Sequence, residues 1–327
     1  MFVAIDKMAR CLLTLSVICA PAAGWAATCT TQAGLAAADR NALALAGQRL
    51  STAVVQGDTA NLQASLLPSV TGQWDGIRDT AEISAAFVKG GQAQLRNLYL
   101  LDATSLTAPT DTQFFCSSTN GSMTVTISMR SLPPGKYAVV LADSAGSPMA
   151  GQIGLVLGLD GGAWKLGGLF VRPGQLGGHD GVYYWQRARE AARSGAPWAA
   201  YYAYDAARTL LVPVDFLSSP NLDKLNQEQE QIAGAPTFPY NVQAGDRTFK
   251  IDSVHFDTAA HEADLGVVYD STGVTDQAAL RTEATTVMSA FLKTQPVLRG
   301  SFHGLWAYSS NGGKITPIME LPMNRIP

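Results

Sequence analysis

The sequence predicts an α+β protein: helices first, then an antiparallel sheet, a helical hairpin, and a small C-terminal α+β unit. Three observations predict it. Leu35, Leu43, Ala46, Leu50, Ala53 and Val54 recur at three- and four-residue steps, the spacing of a helix with one buried stripe. From Leu95 to Val171 the apolar period falls to two, as in strands. After Gly177-Gly178-His179-Asp180-Gly181 the helical spacing returns. The chain has 327 residues, 47% hydrophobic and 15% charged, enough for more than one core and unlike a disordered composition.

The first 26 residues read as an export signal. Lys7 and Arg10 precede the apolar stretch from Cys11 to Cys19, and small residues follow it. Cleavage is expected after Ala26. The apolar stretch is too short to span a bilayer, and no later stretch reaches 18 unbroken apolar residues, so no membrane span is expected in the mature chain. Removing the leader takes away Cys11 and Cys19 and leaves Cys29 and Cys116. An even pair in a chain sent to an oxidising compartment, the periplasm or the cell exterior, is expected to form a disulfide. The formal net charge is −3, with no basic excess to neutralise phosphates, so no nucleic-acid partner is expected.

The first domain is expected over 27–175. Its first helix, 32–56, should end at Gly57 in the left-handed conformation. Asp58 should cap a second helix through Leu62, Leu66 and Leu67, stopped by Pro68. A third should run from Asp79 through Ile83 and Phe87 to Gly90. Strands are expected at 95–107, 112–118, 123–129 and 137–142. Two more, 153–159 and 164–171, should form a hairpin across Asp160-Gly161-Gly162. The entry Ala53-Val54-Val55-Gln56-Gly57-Asp58-Thr59-Ala60-Asn61-Leu62, then Leu66-Leu67-Pro68, and the closing Ala163-Trp164-Lys165-Leu166 resemble the NTF2-like (SnoaL, cystatin-like) fold over roughly 32–172. That resemblance implies helices closing a curved sheet into a cone. In that fold the interior holds small ligands, and some members use a carboxylate there as a proton shuttle.

Residues 176–233 are expected to hold two helices, 183–193 and 198–211, and a polar, solvated helix over 222–232. The pair resembles a single TPR-like unit, with Ala188, Ala191, Gly195 and Ala206 as small packing residues. It has no second copy and must pack on a neighbour. Gly234-Ala235-Pro236 marks the last boundary. Over 234–327, strands are expected at 249–256 and 262–269. A helix capped by Thr275 or Asp276, with the stripe Leu280, Ala284, Val287, Met288 and Phe291, should end at Pro296. A final hairpin turns at Asn311-Gly312-Gly313.

His255, Asp257, His261, Glu262 and Asp264 are metal-ligand types, but no zinc-protease spacing follows His261-Glu262, and the segment reads as two strands joined by a polar turn. No metal and no cofactor are expected. Ala142-Asp143-Ser144-Ala145-Gly146 imitates a nucleophile elbow without the helix such an elbow needs. No glycine pattern makes a phosphate loop. Asp102 shares a strand face with Leu98 and Leu100, where apolar neighbours would raise its pKa and fit it as a general base. Trp74, Phe87 and Tyr99 could line the same cavity. Tyr184, Trp185, Trp198 and Tyr201 could form an aromatic surface for sugars or a partner, though rings at helical spacing also suit an interhelical core.

The leading expectation is therefore a non-catalytic binding or scaffold protein of the bacterial cell envelope, its partner a protein or a small molecule. The alternatives are an isomerase or hydrolase of NTF2-like type using Asp102, and a carbohydrate binder using the hairpin rings.

Overall fold

The computed structural model describes residues 27–117, 124–147, 150–258 and 262–327. The leader, Ser118, Met123, Pro148 and His261 lie outside the described residues. The architecture is α+β, as the sequence predicts.

The chain enters on β1 (Thr28–Thr31) and passes to α1 (Ala37–Gln56) and α2 (Thr59–Ala64). Both expected boundaries form. Gly57 closes α1 at φ 69°, and the Asp58 carboxylate accepts the Asn61 N–H at 3.0 Å. The third helix begins earlier than its stripe suggests. A 3-10 turn from Pro68 leads into α3 (Trp74–Ile83), and α4 (Ala85–Val88) follows a break at Ser84.

Six longer strands come next: β2 (Gln92–Asp102), β3 (Thr110–Ser117), β4 (Thr124–Leu132), β5 (Lys136–Ala145), β6 (Gly151–Asp160) and β7 (Ala163–Pro173). They do not make one meander. One sheet has the order β1-β2-β5-β6-β7, while β3 and β4 leave it for a second sheet. The helices cover one face, where Leu43, Leu50 and Leu62 pack with Leu98, Val140 and Leu155. The second sheet covers the other, where Phe114 and Ile127 pack with Tyr99, Leu101 and Val139. The cause is visible in β5. Ala138, Val139, Val140, Leu141 and Ala142 are all buried, and a strand apolar on both faces needs a layer on each side. The expected disulfide forms between Cys29 on β1 and Cys116 on β3, with Cα atoms 5.0 Å apart, and so joins the edge of one sheet to the other.

The hairpin is α5 (Gly181–Arg193) and α6 (Pro197–Leu211), followed by β8 (Leu217–Ser218), which pairs with β4, and by α7 (Pro220–Glu230). α7 is less solvated than its composition suggests. Leu222 and Leu225 are buried. Glu228 accepts hydrogen bonds from Trp185 Nε1 at 2.7 Å, Arg189 Nε and Nη2 at 2.7 and 2.8 Å, and Tyr204 Oη at 3.1 Å. The Arg189 hydrogen bonds, partly opposed by burial and aided by Trp185 and Tyr204, hold the Glu228 carboxyl below the usual glutamate range. A depressed folded-state pKa contributes stability that is present above the unfolded value and lost as pH falls through the folded one. Glu228→Gln is expected to cost about 1–3 kcal/mol at pH 7. The gap from wild type should narrow below about pH 4. Denaturant melts of both proteins at pH 7 and pH 3 check this, and a pH-independent gap would contradict it.

The C-terminal part adds β9 (Tyr240–Ala244), which the sequence reading misses, then β10 (Arg247–Asp257), β11 (Asp264–Asp270), α8 (Gln277–Thr294), β12 (Gly304–Asn311) and β13 (Lys314–Pro322). The sheet order is β13-β12-β11-β10-β9. Neighbours are antiparallel except β11 and β12, which α8 connects as a parallel pair. Asp276 caps α8 by accepting the Ala279 N–H at 2.8 Å. Leu280, Ala284, Val287, Met288 and Phe291 are all buried, as their spacing predicts. One core includes α5, α6, α7, α8 and this sheet, so hydrophobic packing crosses Gly234-Ala235-Pro236.

Candidate functional site

Asp102 ends β2 in a polar turn. Its Oδ1 accepts from the Thr104 N–H at 3.0 Å and the Thr104 hydroxyl at 2.6 Å, and Lys136 Nζ lies 4.0 Å from Oδ2. Burial pushes the carboxyl upward, but the two Thr104 bonds and Lys136 outweigh it, and the net shift is downward. The raised pKa expected from its apolar neighbours is therefore corrected, because short-range donors at the strand end outweigh the partial desolvation. Trp74, Phe87 and Tyr99 do not line one space. Trp74 and Phe87 pack on the helix-covered core, and Tyr99 lies in the core on the sheet's other face. The alternation of β2 separates Tyr99 from Leu98. Ser144 is a buried strand residue whose hydroxyl donates to the Val88 carbonyl at 3.1 Å.

The hairpin rings are chiefly core. Tyr184 is 5% exposed, Trp198 7%, Tyr202 0% and Tyr204 2%. Trp198 lies 4.9 Å from Tyr240 and 5.6 Å from Phe291, centroid to centroid. Tyr184 donates to the Leu176 carbonyl at 3.0 Å, and burial, with smaller contributions from Tyr183, Glu262 and Asp264, pushes its phenol up to about 12. Trp185 and Tyr201 are half-buried against the same core. An extended aromatic platform is not formed, because the helical spacing turns most rings inward toward the sheet.

The polar residues converge on the C-terminal sheet. One register row crosses four strands: His255 opposes Gly266, Gly266 opposes Trp306, and Trp306 opposes Glu320. Paired residues share a face, and so do residues two apart on a strand. The face therefore also carries Asp257, Asp264, Gly304 and Tyr308. Leu265, Val267, Leu305 and Ala307 alternate to the opposite face and join the core.

Asp264 is the centre of this face and is 0% exposed. Its Oδ1 lies 3.1 Å from His303 Nδ1, and its Oδ2 accepts the Trp306 indole N–H at 3.2 Å. Glu320 Oε1 is buried with no hydrogen-bond partner among the described residues. Burial first, then the Asp264 carboxylate, pushes the Glu320 carboxyl upward, with His303 and Arg325 opposing. One ligand-type atom each of Asp264, His303 and Glu320 falls within 4.8 Å of the others. To one side, Tyr308 Oη donates to Asp257 Oδ2 at 2.5 Å, and His255 Nε2 lies 3.5 Å from the same oxygen. Burial, followed by that bond to Asp257, raises the Tyr308 phenol pKa.

Two glycines keep the face open. A Cβ on Gly266 would come within 2.3 Å of His255 Nε2 and 2.9 Å of the Tyr308 ring. A Cβ on Gly304 would come within 2.5 Å of Glu320 Oε1 and 2.9 Å of Asp264 Oδ1. The sequence picks out His255, Asp257 and Asp264 but reads their segment as two strands joined by a polar turn, with no metal. It misses His303, Trp306, Tyr308 and Glu320, which come from strands far along the chain. The available signals are period-two polar and aromatic residues on β10 and β12, and glycines within strands, which mark close approach.

No family model matches the chain, and no curated protein or solved structure matches it. Fold and site together define an α+β protein, disulfide-joined in its N-terminal half, with a carboxylate–imidazole–indole cluster on the C-terminal sheet. Among the described residues no helix is long and apolar enough to cross a membrane.

Proposed function

We propose that this is an exported, non-catalytic binding protein of the bacterial cell envelope, acting in the periplasm or outside the cell, whose ligand-binding face is the polar side of the C-terminal sheet. The observation that carries this reading is the Asp264 carboxylate, fully buried and oriented by His303 and Trp306 beside a Glu320 oxygen with no partner among the described residues. Burying a carboxylate costs several kcal/mol unless charge and donors compensate it. A face holding that carboxylate and the half-buried Glu320 is suited to a positively charged ligand, and the neighbouring rings of Trp306, Tyr308 and His255 supply flat surface for it. The leader pattern and the Cys29–Cys116 bridge support an oxidising compartment. With Asp102 engaged in its own turn, the N-terminal half has a supporting role in this reading.

Expression of the full chain in a bacterial host, followed by fractionation, tests the compartment. The expected product is released outside the cytoplasm, cut near Ala26, with neither Cys29 nor Cys116 free to react with a thiol reagent. A thermal-shift screen of polyamines, amino sugars and basic dipeptides tests the face. At least one compound should raise the melting temperature of wild type and not of Trp306→Ala. A chain retained in the cytosol with its leader intact, or substrate turnover abolished by Asp264→Asn, would overturn the reading.

A further inference from the structure

We propose that Asp264, His303 and Glu320 form a site for one divalent transition-metal ion of the zinc class. This deepens the binding reading above, on which it rests for the choice of face, by naming the ligand. One imidazole nitrogen and two carboxylates make a mixed nitrogen–oxygen set, which zinc and its neighbours accept. Calcium and magnesium favour oxygen alone. Zinc binds such atoms at about 2.0–2.2 Å, which places two ligands of one tetrahedral ion about 3.3–3.6 Å apart, a small adjustment from the spacing seen here. His303 Nδ1 and Asp264 Oδ1 are separated by 3.1 Å.

Three further features fit an ion at this point. Glu320 Oε1 is buried and has no hydrogen-bond partner among the described residues, and an acceptor left so costs about 1–3 kcal/mol, more if charged, unless a cation or proton satisfies it. Gly304 keeps clear the space between the two carboxylates, since a Cβ there would fall within 2.9 Å of both. Trp306 engages Asp264 Oδ2 and so leaves Oδ1 to face His303, as an outer-shell donor orients a ligating carboxylate. The three residues sit on β11, at the entry to β12, and on β13, adjacent strands of one sheet, which fixes their spacing. The His303 side chain is 45% exposed, so the open side of the site faces solvent, where a water or a ligand atom would complete the coordination.

The test is calorimetric titration of chelator-stripped full-length mature protein with zinc chloride, with magnesium chloride as the comparison. The expected result is one zinc per chain and no competing magnesium. His303→Ala and Glu320→Gln should each weaken zinc binding by at least about tenfold, since even outer-shell changes cost 10–100-fold. His179→Ala, on the connector, should leave the affinity unchanged. Both site variants alter partly exposed side chains, and circular dichroism verifies that they fold. Cobalt substitution gives a second readout: visible d–d absorption in wild type, lost in His303→Ala. No zinc uptake by wild type, equal affinity in both site variants, or equally tight magnesium binding would overturn the proposal. In those cases export and the response to cationic organic ligands stand independently. Conversely, turnover by the zinc-loaded chain that disappears in His303→Ala would overturn the non-catalytic reading while leaving the metal site in place.

Discussion

Replacing Cys29 and Cys116 together by serine is expected to lower the unfolding free energy of the N-terminal half by about 4–5 kcal/mol, the chain-entropy value for a loop of this length. The bridge closes a sequence separation of 87 residues, and without it the unfolded chain regains the freedom that the loop removes. The native state also loses a tie between layers. β1 is only four residues long and sits at the edge of its sheet beside β2. Cys116 is buried in the core between the two sheets. Two serines would place hydroxyls where sulfur was packed, with one of them in that core. Guanidinium unfolding of wild type, with and without a reductant, and of the double variant checks this. The reduced wild type and the variant should share a lowered midpoint. Coincident midpoints for oxidised and reduced protein would show that the bridge adds nothing.

Trp198→Ala is expected to cost about 3–5 kcal/mol, the range for deleting a large buried ring. Trp198 stands on α6 but packs with Phe238, Tyr240 and Phe291, which belong to the loop before β9, to β9 and to α8. Its loss would open a cavity where the helical hairpin meets the C-terminal sheet. Because one core includes both, circular dichroism and tryptophan fluorescence should report a single shifted transition for the hairpin and the sheet. The measurement also separates two roles for the ring. A ring serving as a sugar platform would be exposed, and its replacement would change stability by less than about 1 kcal/mol. A change that small would contradict the packing described for Trp198.

Much of the local structure was legible because its causes are local. Gly57 ends α1 since a left-handed residue is needed there, and Asp58 and Asp276 cap the following helices through bonds three residues away. The stripe of α8 is buried residue for residue. The partition of strands was not legible. Periodicity shows that β3 and β4 alternate, but not that they leave the first sheet to cover its far face. The apolar run of β5, from Ala138 to Ala142, requires a layer on each face but suits equally a strand covered by helices on both sides. For Asp102 the deciding neighbour is Thr104 in the turn, not the residues on its strand face. Asp102 has the right apolar neighbours along its strand, yet a turn two residues on decides its charge.

The α+β class, the helix ends at Gly57, Asp58 and Asp276, the tight turns at Gly161-Gly162 and Gly312-Gly313, and the pairing of Cys29 with Cys116 are all written in the chain. Each follows from residues a few positions apart or, for the cysteines, from the even pair that remains once the expected leader is removed. That Asp264 meets His303, 39 residues along the chain, and Trp306, 42 along, with Glu320 beside them, emerges only from the folded sheet. Those meetings depend on sheet order and register, which hydrogen bonding between distant strands fixes. A carboxylate buried at such a meeting point acquires its surroundings from every strand around it and from very little of its own neighbourhood in sequence.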